Sequence, residues 1–83
     1  MRTPTLLDRL RQFELDSKAG PIGPTLEDRV DQLYTMAMHE PISEDTLERE
    51  EIARIALRVS KKFWPEGMLA NVFVVIYSLN KRV

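Results

Sequence analysis

The sequence predicts an all-α fold, a small bundle of three main helices with a short N-terminal helix attached. Three observations predict it. Glycine and proline break the chain at "SKAGPIGP" (17–24), "HEPIS" (39–43) and "FWPEG" (63–67), which leaves four segments. In the first three segments apolar residues recur every three or four positions, the period of an amphipathic helix. The fourth, "EGMLANVFVVIYSLN" (66–80), is apolar almost throughout, and no other segment offers it a strand to pair with.

The first segment, about 4–15, places Thr3 as N-cap and Pro4 at the first helical position. Leu6, Leu10 and Phe13 follow at i, i+4 and i+7, with Arg9 and Arg11 on other faces. The chain reads as one helical domain over 1–83. Within it, 1–16 is the short helix, 17–24 a Gly/Pro linker and 25–83 the helical core. A helix hung on such a linker is expected to be loosely attached.

In the second segment Thr25 is the expected cap, and Asp28 three residues on resembles a capping box. Glu27 and Asp28 suit the positive end of the helix dipole. Leu26, Val30, Leu33, Tyr34, Ala37 and Met38 form one stripe, and Pro41 ends it.

The third segment, "SEDTLEREEIARIALRVSKKFW", is the clearest helix. Ser43 or Thr46 caps it. Acids crowd its start and Arg58, Lys61 and Lys62 its end, matching the dipole at both ends. Glu50 and Arg54 form an i,i+4 pair in the favourable order. Ile52, Ile55, Ala56, Val59 and Phe63 make the core stripe, and Pro65 stops the helix. Ala53, Leu57 and Trp64 fall together off that stripe. They are either a landing site for the first helix or a contact for a partner, since Trp is enriched in binding hot spots.

Propensity alone reads the fourth segment as a strand, because it is rich in β-branched and aromatic residues. Val72 to Tyr77 run without alternation, however, and a buried strand needs a neighbour on each edge. A helix is the better reading. One side then carries Met68, Leu69, Val72, Val75, Ile76 and Leu79, and the other Ala70, Phe73, Val74 and Tyr77, with Asn71, Ser78 and Arg82 as a narrow polar seam. A helix apolar on both sides is central in its domain or shared with another chain. The expected association surface is therefore Ala70, Phe73, Val74 and Tyr77, joined by Leu57 and Trp64.

Composition narrows the function. A chain of 83 residues buries only about 60–65% of the surface its unfolded form exposes, and with no cysteine it has neither disulfides nor Cys-based zinc sites to staple it. An efficient helical core, self-association or a protein partner must supply the stability. Twelve basic and 13 acidic residues give a net charge of −1, which exerts no global pull on nucleic acid or anionic lipid. The apolar run of roughly 12 residues is shorter than the 20 or so a membrane span needs. The N-terminus reads as neither signal nor transit peptide, so the expected location is the cytoplasm. His39 is the single histidine, and "HEP" is not HExxH. No Ser–His arrangement and no glycine-rich phosphate loop are present. A non-enzyme without metal or cofactor follows. Arg54, Arg58 and Lys61 share a face, but it runs into Glu50 and Glu51, which argues against DNA binding.

The expected function is therefore that of a small regulator or adaptor that binds another protein. In length, helical content and the apolar C-terminal "LANVFVVIYSLNKRV", the chain resembles small bacterial antiactivators of the TraM and QseM kind. That resemblance implies a transcriptional activator as partner and quorum sensing or conjugative transfer as setting. The rival expectations are a small DNA-binding repressor and a secretion chaperone or structural subunit.

Overall fold

A computed structural model describes residues 4–65 and 67–81. The described residues form four α-helices: α1 (Leu6–Ala19), α2 (Leu26–His39), α3 (Thr46–Lys62) and α4 (Gly67–Lys81). Each packs on two neighbours. α3 lies against α4 and α1, and α2 lies against α4 and α1, so α1 faces α4 across the bundle and α2 faces α3. The all-α bundle expected from sequence is the observed fold, and the 67–80 stretch is helical.

The N-terminal helix departs from expectation. It is 14 residues long, extends through Ser17, Lys18 and Ala19, and buries Leu6, Leu10, Phe13 and Ser17. It is a full member of the bundle. Its cap is Thr5, whose hydroxyl accepts from the Asp8 amide at 3.2 Å while the Asp8 carboxylate accepts from the Thr5 amide at 3.1 Å. Pro4 therefore precedes the helix, and Thr3 lies outside the described residues. This reciprocal pair lies in the sequence two residues beyond the Thr3–Pro4 start expected from it. Gly20 ends the helix at φ 149°, a conformation that disfavours any side chain.

Two contacts from α3 dock α1. Arg58 donates from Nε and Nη2 to the two Glu14 carboxylate oxygens at 2.8 and 2.9 Å. Lys62 donates to the Ser17 carbonyl, one of the acceptors a helix end leaves open. Position 14 meets 58 and 17 meets 62, so the two helices run parallel. α2 is held to α1 by Arg29, which pairs with Asp16 at 2.8 Å and lies 5.3 Å over the Phe13 ring.

The helix ends differ in detail from the sequence reading. Thr25 precedes α2, but its side chain makes no capping bond. Asp45, not Ser43 or Thr46, caps α3 by accepting from the Leu47 and Glu48 amides. Ser43 supports it, since its hydroxyl accepts from the Asp45 amide and donates to Glu48. Arg54 pairs with Glu51 at 3.4 Å and not with Glu50. Tyr34 and Met38, expected in the α2 stripe, are exposed, and Met36 packs against the core in their place.

The centre of the core is aromatic. Phe13 from α1 lies 5.3 Å from Phe73 of α4 and 5.9 Å from Phe63 at the end of α3, ring centroid to ring centroid, and Phe63 stacks on Phe73 at 6.4 Å. Leu10, Val30, Leu33, Ile52, Ile55, Val59 and Ile76 surround them.

Two predictions follow from this packing. Phe73→Ala should cost about 3–5 kcal/mol, the usual range for a buried Phe truncated to Ala, measured by urea denaturation; a loss under about 1 kcal/mol would remove Phe73 from the centre. Arg58→Ala should cost about 1 kcal/mol at pH 7, as for a well-formed, half-exposed pair. The hydrogen bonds from Arg58 hold the Glu14 carboxyl below its ordinary value of 4.5. A depressed carboxylate stabilises the fold above its unfolded pKa, and that stability is lost as pH falls through the lower folded value. The gap between wild type and Arg58→Ala should therefore close as the medium is acidified below the ordinary carboxylate range. An unchanged gap would assign the loss to packing of the arginine stem.

Candidate protein-interaction surface

α4 turns Ala70, Phe73, Ile76 and Asn80 inward. That line runs between the two sides drawn from sequence. Ala70 (1% exposed) and Phe73 (0%) are core residues of this chain, so neither offers surface to a partner. Met68, placed on the core side, is 86% exposed. The reason is physical. A helix apolar all round has no polar minimum to mark its outside, so burial follows shape: the large Phe73 fills the centre, and the small Ala70 lets α3 approach.

The remaining expected contacts are at the surface. Val74 is 37% exposed, Leu57 37% and Trp64 68%, while Tyr77 is half-buried. Leu57 and Tyr77 come together, with Ala53 between them, as walls of a groove along the α3–α4 seam. Glu50, Arg54 and Lys81 rim it. Leu57 is exposed on α3, and Trp64 is exposed in the turn that follows it, with Lys61 exposed between them in sequence. α1 does not cover this patch, because it docks on the Arg58 and Lys62 side of α3. Of the two readings of Ala53, Leu57 and Trp64, the landing site is excluded; Ala53 itself is buried.

Sequence reasoning missed the solvent face of α4. From Gly67 to Asn80 no residue carries a charge, whereas α1, α2 and α3 all present charges to solvent. Met68, Asn71, Val74 and Ser78 are exposed there, and Val75 is half-buried. Charge depletion is a mark of interface cores, and it was readable in the sequence.

Other chemistry is sparse. Among the described residues no three His, Asp or Glu side chains gather where they could hold a metal ion. No described helix is long and apolar enough to cross a membrane. Two cations expected to be available on α3 are engaged internally: Arg58 by Glu14 and Lys62 by the Ser17 carbonyl.

Comparison with protein-family models, with curated proteins and with solved structures finds no match to this chain. A functional reading therefore rests on its own surface.

The inward line of α4 has a direct test. Val74→Glu should leave the isolated chain helical and within about 1 kcal/mol of wild type, as for a surface change. Phe73→Glu should unfold it, since an unpaired charge would enter the core. Circular dichroism melts of the two variants check this; equal destabilisation by both would mean that Val74 too is core.

Proposed function

We propose that the protein is a non-enzymatic regulator that works by binding another protein along the α3–α4 seam. The observation that carries this reading is the α3–α4 groove walled by Leu57 and Tyr77, which no described residue fills, with Trp64 exposed just beyond the end of α3. A Leu–Tyr groove and an exposed Trp have the residue types of a binding hot spot. Arg54 and Lys81 against the single Glu50 leave the rim net positive, which favours a partner segment that is apolar at its centre and acidic at its edges. The finer reading is an antiactivator of a quorum-sensing transcription regulator in the bacterial cytoplasm. It rests on the resemblance in size, helical content and apolar C-terminal segment.

Direct DNA binding is the weaker alternative. The exposed cations left on α3 are Arg54 and Lys61, with Glu50 beside them and Glu51 already paired to Arg54. That is too little free positive charge for a phosphate-binding stripe. A secretion chaperone or structural subunit would use the same surface and differ only in what it holds.

Leu57→Ala with Trp64→Ala should weaken binding to the partner recovered from the host by at least about thirtyfold, the scale of a lost hot spot. The melting temperature should fall by only a few degrees, because both side chains are exposed. Unchanged affinity per folded molecule would sink the proposal. A gel shift with host promoter DNA should show no competitor-resistant complex of the protein alone; a tight, site-specific complex would make the repressor reading the correct one.

A further inference from the structure

We propose that the solvent face of α4 is the interface of a two-fold dimer, in which α4 of a second copy packs antiparallel across it. This goes beyond the partner-binding reading and uses a different side of the helix.

Three observations select a second copy as the occupant. First, the face is uncharged from Gly67 to Asn80. Any partner that brought charge to it would bury that charge without a counter-ion, whereas a copy of the same face brings none. Second, the only polar groups on its midline are Asn71 and Ser78. Both are exposed, and neither side chain makes a hydrogen bond among the described residues. Third, their spacing is self-complementary. They are seven residues apart, so they lie one above the other on one line, about 10 Å apart. Val74 and Val75 flank that line on either side, midway between them. A two-fold axis between Val74 and Val75 sets Asn71 opposite Ser78 of the second copy, and repeats the pair on the other side, as isologous symmetry requires. The Asn amide donates to the Ser hydroxyl oxygen, and the hydroxyl donates to the Asn carbonyl oxygen. Both side chains are small enough for the helices to approach to about 8–10 Å. The valines then meet their own copies. The antiparallel order also opposes the two helix dipoles.

Sedimentation equilibrium of the full chain over a wide concentration range should give twice the 9.6 kDa chain mass. Ser78→Lys should raise the dissociation constant at least about a hundredfold, as expected for a charge buried without a partner. Asn71→Glu alone should do the same. Both sites are exposed, so circular dichroism should show the variants helical. The combination Asn71→Glu with Ser78→Lys should restore the dimer, because antiparallel register places each Glu opposite a Lys. A wild-type chain that is monomeric at every concentration overturns the proposal, as does a dimer indifferent to Ser78→Lys. Failure of the double variant to recover overturns the antiparallel register. The Leu57→Ala, Trp64→Ala variant should remain dimeric, so failure here and failure of the partner groove are told apart.

Discussion

The contact on which the rest of this structure depends is the meeting of Phe13, Phe63 and Phe73. They are the three phenylalanines of the chain, and all enter one cluster. They come from α1, the end of α3 and α4. α1 and α4 share no flank, so the Phe13–Phe73 pair is what joins them through the centre of the bundle. Tilted aromatic pairs add about 0.5–1.5 kcal/mol beyond burial of their area. In a chain with no cysteine to form a disulfide, that concentration of large side chains replaces the missing cross-link. It also explains why α1 cannot be an appendage: Phe13 is one-third of the cluster.

Electrostatics then assigns directions. Sequence reasoning attributed the acidic start and basic end of α3 to the helix dipole. The basic end has a second use, because Arg58 and Lys62 hold the C-terminal half of α1 in parallel register. Charges spent internally are not available to a ligand. The surface is thereby divided: salt-bridged, charged helices on the α1 side, and an uncharged, partly apolar face along α4.

Much of the fold was legible before the structure. Leu6, Leu10 and Phe13 in α1, and Ile52, Ile55, Ala56 and Val59 in α3, carry enough polar contrast around each helix for periodicity to find the core. In α4 the contrast is missing, and the sequence reading split the helix along the wrong line. Ala70 and Phe73 went to the surface and Met68 to the interior. Nothing local distinguishes Phe73 from Val74; only the position of Phe13, 60 residues earlier, decides which is buried. The extent of α1 was misjudged because the linker was read from composition, while Ser17 to Ala19 are tied down by a lysine in another helix. Of the candidate contacts, Leu57 and Trp64 are exposed, as expected of residues that lie off a well-marked stripe.

The parallel docking of α1 on α3 has a consequence for the order of assembly. α3 and α4 are joined by the four residues between Lys62 and Gly67, so their seam closes a very short loop. The Glu14–Arg58 contact spans 44 residues. Loop-closure entropy grows as the logarithm of length, so the longer closure costs roughly 1–2 kcal/mol more. The α3–α4 hairpin is therefore the natural nucleus, and α1 is the last element to lock. Until it does, Phe63 and Phe73 lack their third ring, and on a translating ribosome that ring is already made and waiting. The element made before the other three is the one that completes the fold, so the α3–α4 hairpin keeps an open apolar centre until α1 closes it.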